Sequence, residues 1–121
     1  MQASAVDEES FWAALEYRVS REMAGVDECR RLGMWCDGFI AETVDLDASP
    51  NRICGQAWVG LGPGNQEAWT FELLLPATVA SREQVPWSEL LPADGVTQWL
   101  RIDSERKHLV VAPGEAVDDA A

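Results

Sequence analysis

The spacing of apolar residues changes near residue 34, and this change constrains the fold more than any other feature. From Phe11 to Met23, apolar side chains recur every three or four residues, which predicts an amphipathic helix closed by Gly25. From Met34 onward they recur at every second residue, which is typical of half-buried strands. The chain is therefore expected to begin with a helix and to continue as a sheet.

Dense turn signals divide the rest of the chain. They are DASPN at 47–51, GPGNQ at 62–66 and SERK at 104–107. We expect strands between them and a short helix near Pro86, between the third strand and the fourth. The expected strands cover 34–46, 52–61, 68–75, 97–103 and 108–112. Short connections favour antiparallel neighbours. The predicted fold is α+β, an antiparallel sheet of about five strands with the N-terminal helix packed on one face.

Acidic residues dominate the charge of the chain and limit the classes of partner. Its length of 121 residues predicts one domain, over 10–113. Its net charge of −12 predicts no basic patch that could bind nucleic acid. The segments 1–9 and 114–121 each hold three acids and no Lys or Arg, and we expect both to be disordered. No apolar run reaches about 18 residues, so no membrane span is expected.

Three cysteines, Cys29, Cys36 and Cys54, fit neither a disulfide framework nor the ligand spacing of a zinc site. An odd number of thiols without such spacing predicts free cysteines in a reducing compartment. We therefore expect a cytoplasmic protein that carries no metal and no other cofactor.

The turns also predict a strand register. Pairing Leu61 with Glu67 collects apolar and small side chains on one face, and a slip of one residue would exchange the two faces. Strict alternation along 35–41 adds residues of the first strand to this face, which should receive the helix. Small residues are expected to leave room there for Trp12 or Leu15, and they are Ala41, Gly55 and Ala57.

The same register divides the six tryptophans, each of which can bury roughly 150–250 Å². Three are expected in the core, namely Trp12, Trp35 and Trp69, whereas Trp87 stays unassigned. The opposite side of the sheet, here called the second face, is expected to hold more aromatic surface than a solvated sheet needs. Either the segment 77–95 covers it, or it binds something. The predicted binding residues there are Trp58, Trp99, Gln56, Arg101, Glu72 and Glu42.

Candidate catalytic groups are few. Asp103 should lie across the SERK turn from His108, the only histidine, as in a general-base pair, although a surface cross-strand pair explains it equally. Glu42 and Glu72 could form an acid–base pair or bind a cation, or they could be ordinary polar residues on the solvent side of a half-exposed sheet. Cys54 is expected on the same face as His108, but we interpret it by default as a small, buried side chain.

These observations favour a non-catalytic protein-interaction module. A basic protein is the natural partner of an acidic chain, and a second copy of the chain is another possibility. The alternative is a small-molecule binding domain that uses the second face. An enzyme built on His108 or on the carboxylates is the third hypothesis, and it requires these groups to converge in one cleft.

Overall fold

The computed structural model describes residues 8–47, 51–75, 81–87, 90–92 and 99–113. Two helices come first, α1 over Glu8–Ala24 and α2 over Asp27–Arg31. Five strands follow, namely β1 (Met34–Asp45), β2 (Arg52–Leu61), β3 (Gln66–Leu74), β4 (Leu100–Asp103) and β5 (His108–Val111). The segments 1–7 and 114–121, for which we predicted disorder, lie outside this description.

Helix α1 forms because its apolar residues make one stripe. Every fourth residue is fully buried, namely Phe11, Leu15, Val19 and Met23. The first turn carries Glu8 and Glu9, whose carboxylates suit the positive end of the helix dipole, and the last turn carries Arg21. Because Glu8 and Glu9 are helical, the helix begins before the boundary predicted at residue 10.

The strands form one sheet in the order β1-β2-β3-β5-β4. The pairs β1–β2, β2–β3 and β4–β5 are antiparallel, whereas β5 runs parallel to β3. The α+β class, with an N-terminal helix on a mostly antiparallel sheet, is confirmed. The prediction of a wholly antiparallel sheet is wrong for β3–β5, because the segment 75–99 is long enough for the crossover that a parallel pair needs.

The short helix predicted near Pro86 falls partly on residues 88–89, outside the described residues, and it stays a prediction. In the described part of this connection Arg82–Gln84 forms a 3-10 turn, and Trp87 is also in 3-10 conformation, with its carbonyl accepting from the N–H of Leu90 at 3.3 Å. Val85 and Leu90 are buried in the core on either side of the undescribed pair.

The β2–β3 hairpin keeps its predicted faces but shifts its register by two residues. The turn is tighter than expected, because the N–H of Leu61 donates to the carbonyl of Asn65 at 2.9 Å. Gly62 and Gly64 make this possible with φ angles of 86° and 79°, in the left-handed region that glycine enters readily. A shift by two residues leaves each side chain on the face predicted for it.

Two bulges in β1 change which of its residues face the core. The pairing with β2 shifts between Cys36 and Phe39, and again between Ala41 and Thr43. Cys36 and Phe39 both contact the core, so the extra residue between them reverses the alternation on the N-terminal side. Trp35 consequently lies on the second face. Its predicted place in the core is wrong because strict alternation was extended through the first bulge.

Gly55 allows the backbone of β1 to approach β2 closely at the second bulge. A Cβ atom at this position would overlap the carbonyl oxygen of Ile40, because the backbone of β1 approaches closely there. That Gly55 also leaves room for Trp12 or Leu15 stays a prediction. Trp12 packs on Phe39 and Phe71, with ring centroids 5.4 and 5.7 Å apart.

The core lies between α1 and the first face of the sheet, and it contains a tryptophan that we predicted elsewhere. Trp69 and Trp99 are buried members of the core, and Trp12 and Trp87 pack against it. Trp99 is 4% exposed, and the guanidinium carbon of Arg18 lies 5.6 Å from its ring centroid. Its predicted place on the second face is wrong because Trp99 precedes the first residue of β4, where strand alternation does not apply.

Helix α1 also protects the edge of the sheet. The Ser20 hydroxyl accepts from the N–H of Cys36 at 2.9 Å and donates to its carbonyl at 3.2 Å. Because β1 is an edge strand, this hydroxyl supplies the hydrogen bonds that a further strand would otherwise make. This contact and the two bulges disfavour pairing of the β1 edge with a strand of another chain.

Candidate functional site

The second face has a polar half and an aromatic half. The polar half, here called the polar chain, consists of Thr70, His108, Glu72 and Arg52. The aromatic half, here called the aromatic patch, consists of Trp35, Trp58 and Gln56 on β1 and β2. Both halves are products of strand pairing, because each set combines residues of two or more strands.

The polar chain is a continuous series of hydrogen bonds. Thr70 Oγ1 lies 2.6 Å from Nδ1 of His108, and Nε2 of His108 lies 2.9 Å from Oε2 of Glu72. The other carboxylate oxygen, Oε1, accepts from Arg52. Parallel pairing of β3 with β5 places Thr70 opposite His108, so this contact depends on the pairing that the sequence did not predict.

Asp103 is the register partner of His108 across the β4–β5 hairpin, as predicted, but their side chains bond elsewhere. The Asp103 carboxylate accepts from the backbone N–H of Arg106 at 2.9 Å within the turn. The structure therefore gives His108 a carboxylate partner in Glu72, and Asp103 remains its cross-strand neighbour.

Glu72 is held ionised by its partners. Burial by itself raises the pKa of this carboxyl group, but hydrogen bonds from His108 and Arg52 outweigh burial and hold the pKa below its ordinary value. Both carboxylate oxygens are occupied, and the side chain is 25% exposed. Glu72 is therefore poorly placed to take a proton from a substrate.

A hydroxyl–imidazole–carboxylate chain activates the hydroxyl group in many hydrolases, provided that nearby N–H groups stabilise the oxyanion. In this chain the backbone N–H of Thr70 already donates to the carbonyl of Lys107 at 3.0 Å. A groove of about 300 Å³ lies between the helices and β4, lined in part by Val26, Cys29 and Ile102, and it includes no member of the polar chain. The polar chain thus joins β2, β3 and β5 through side-chain hydrogen bonds.

The three thiols are likewise not activated. Burial, with a smaller contribution from the carboxylates of Glu16 and Asp37, raises the pKa of Cys36 to about 12, although a backbone hydrogen bond at Gly38 lowers it. Burial also raises the pKa of Cys29 and of Cys54. Because the thiolate is the nucleophile, these directions argue against cysteine chemistry.

The aromatic patch is built on glycines. A Cβ atom on Gly60 would overlap three carbon atoms of the Trp35 ring, so the indole lies directly on the backbone of β2. A Cβ atom on Gly38 would come 3.9 Å from Trp58. Both indoles are half-buried, and neither belongs to the core or packs against it.

Polar groups of the patch have no partner in the part of the chain that the structure describes. This holds for the indole N–H groups of Trp35 and Trp58 and for the side-chain amide of Gln56. A carboxylate lies beside them, because Asp37 in the first bulge of β1 accepts from the Gln66 side chain on β3. That hydrogen bond joins β1 to β3 across β2.

The predicted binding residues separate into several places. Trp58, Gln56 and Glu72 lie on the second face as predicted, and Trp99 lies in the core. Glu42 is exposed at the second bulge of β1, and Glu72 lies on β3, so the two residues flank β2 as predicted. Arg101 is exposed on β4 opposite Val110.

Sequence reasoning missed Trp35 and Asp37, both of which depend on the first bulge. An isolated glycine inside an alternating strand, here Gly38 with φ 146°, is the signal that could have located this bulge.

No family model, no curated protein and no solved structure matches this chain. Among the described residues, no group of three or more His, Cys, Asp or Glu side chains is arranged to hold a metal ion. No helix in the described ranges is both long and apolar enough to cross a membrane. Any functional conclusion therefore rests on the second face itself.

Proposed function

We propose that this chain is a non-catalytic protein-interaction module and that it binds its partner through the aromatic patch. The observation that carries the proposal is the partial exposure and, within the described residues, the unused hydrogen-bond donors of Trp35 and Trp58. Their indoles are half-exposed on glycine-lined backbone, outside the core, and their N–H groups have no acceptor among the described residues. Tryptophan is enriched at the energetic centres of protein interfaces for its large surface and single N–H donor.

The contrast between the two halves of the second face supports binding over catalysis. In the polar chain, Glu72 and His108 already bond one another, so a ligand would have to break these contacts. In the aromatic patch, the Gln56 amide and the indole N–H groups gain hydrogen bonds without losing any within the described chain. Binding there carries a smaller desolvation and rearrangement cost.

The proposal includes a cytoplasmic setting and a protein partner, with neither nucleic acid nor membrane as ligand. Three free cysteines support a reducing compartment, and a net charge of −12 disfavours a polyanion. Self-association through the same patch would also be a protein interaction, and the test below distinguishes it by the mass of the product.

Site-specific photo-crosslinking tests the proposal. Ala68 is exposed and pairs with Trp58 across β2–β3, so a photoreactive phenylalanine analogue at 68 would lie beside the patch. The matched control is the same analogue at Ala13, which is exposed on α1. We expect a discrete crosslinked protein from position 68 in cells, absent from position 13 and lost when Trp58→Ala is added.

A crosslink of equal strength from both positions, or none from position 68, would overturn the protein-interaction module. Small-molecule binding is the second candidate, because the free Gln56 amide and the indole N–H groups suit a small polar ligand as well. It predicts no crosslinked protein, together with quenching of tryptophan fluorescence by a ligand and loss of that quenching in Trp58→Ala.

A further inference from the structure

We propose that the partner is a basic segment of a protein, and that an arginine or lysine side chain of this segment stacks on Trp35 and Trp58 beside Asp37. The inference rests on the proposed function and names the chemistry that the aromatic patch recognises. The geometry of the indoles and the distribution of charge along β1 point to this occupant of the aromatic patch.

The Trp35 ring is covered on its inner side and is partly exposed. Because the indole lies on Gly60, its inner face is covered by the backbone of β2 and its outer face points away from the sheet. Trp58 belongs to the same strand as Gly60, two residues earlier and on the same side, beside Gly38 of β1. A cation placed over such a ring is attracted by the negative face of the π system, and tryptophan gives the strongest attraction.

Charges along β1 select a cation. Strand β1 carries the Asp37 carboxylate near Trp35 and contains no lysine or arginine. The Asp37 carboxylate reaches across the second face to the neutral amide of Gln66, so its negative charge is not neutralised by this contact. Cations of the polar chain do not compensate it either, because Arg52 forms an ion pair with Glu72.

An extended segment suits the remaining polar groups. Its backbone carbonyls lack internal hydrogen bonds, and they would accept from the indole N–H groups and from the Gln56 amide. A guanidinium group has donors and no acceptor, so it would bond to Asp37 while these N–H donors stay available for the backbone. An anionic partner would be repelled by the acids of β1 and by the net charge of −12.

The test uses the full chain and a defined probe, the peptide acetyl-Arg-Gly-Arg-Gly-Arg-amide, with the corresponding glutamine peptide as its neutral control. Titration calorimetry at about 150 mM salt limits electrostatic attraction to roughly 8 Å. We expect saturable binding of the arginine peptide and none of the glutamine peptide. Trp35→Leu and Trp58→Leu should each raise the Kd about two- to fivefold, as loss of a cation–π contact implies.

Two matched variants separate a specific site from general attraction. Asp37→Asn and Glu105→Gln remove the same charge, but Glu105 is exposed in the β4–β5 turn, at the opposite edge of the sheet from β1. We expect Asp37→Asn to raise the Kd about twofold or more and Glu105→Gln to leave it unchanged. Tyr17→Leu, at an exposed ring on α1, should also have no effect. Circular dichroism verifies that each variant is folded.

Equal effects of Asp37→Asn and Glu105→Gln, or equal binding of the two peptides, would overturn the inference. If neither peptide binds while the crosslink from position 68 persists, the basic segment is wrong and the protein-interaction module stands. If the crosslink also fails, both are wrong.

Discussion

Alanine at position 60 tests whether the Trp35 indole lies on the sheet. The new Cβ atom would overlap three carbon atoms of the ring. Favourable carbon–carbon contacts are about 3.5–4.0 Å long, so the ring would have to lift by about 1 Å or more. Overpacking of this kind costs about 1–3 kcal/mol, and the partial exposure of the indole favours the lower part of that range. Alanine also restricts the unfolded chain, which offsets about 0.4–1 kcal/mol.

The expected net loss for Gly60→Ala is therefore about 1 kcal/mol in the free energy of unfolding, or about 3–6 °C in Tm for a domain of this size. Urea unfolding followed by far-UV circular dichroism measures it without relying on tryptophan signals. In a Trp35→Ala background the overlap is absent, so the same substitution should be neutral or slightly stabilising. The coupling energy between the two positions should be about 1–2 kcal/mol.

Gly25 provides the control. A Cβ atom there would meet the carbonyl oxygen of Glu22 at 3.5 Å, an ordinary contact distance, and Gly25→Ala should change stability by less than about 0.5 kcal/mol. If Gly60→Ala costs the same with and without Trp35, the indole does not lie on Gly60, and its inner side is not covered by β2.

Three further substitutions or measurements address the polar chain, the sheet edge and the core. Glu72→Gln should be less stable than wild type at pH 7 and should differ less at low pH. Because the pKa of Glu72 is lowered in the folded state, ionised Glu72 stabilises the fold above its unfolded pKa near 4.5, and this stability is lost as the pH falls through its folded pKa. Urea unfolding between pH 3 and pH 7 measures the difference. Parallel curves of stability against pH for the two proteins would contradict it. Ser20→Ala should cost about 1–2 kcal/mol and speed amide exchange at Cys36, and unchanged exchange would exclude the edge contact. The Cys36 thiol, with its pKa near 12, should resist an aromatic disulfide reagent until the chain is unfolded, whereas a prompt reaction in the folded state would contradict its burial.

The sequence predicted best those features that depend on one element at a time. The i, i+4 stripe from Phe11 to Met23 identified the buried face of α1 without knowledge of its partner. Alternation in β2 and β3 assigned Trp69 to the core and Trp58 to the second face. These assignments tolerated a two-residue error in register, because a shift by two leaves side chains on the same side.

Features that depend on distant pairing were not predictable in this way. Thr70 and His108 are 38 positions apart and meet only because β5 lies parallel to β3, and no local turn signal specifies that pairing. The bulge that sends Trp35 to the second face is a departure from alternation, so a strict period assigns this residue to the wrong side. Trp99 was misplaced for the opposite reason, because alternation was applied just outside a strand.

The cost of building the aromatic patch argues that it has a function beyond folding. Gly60 gives β2 no side chain on the second face, and the Trp35 indole occupies that place. A half-exposed indole also forgoes part of the burial that an indole gains in a core, and the core closes without Trp35 and Trp58. Local choices that oppose stability without a compensating contact are characteristic of binding sites. The polar chain shows the reverse pattern, since each of its charged groups is paired, and it stabilises the sheet that carries the patch.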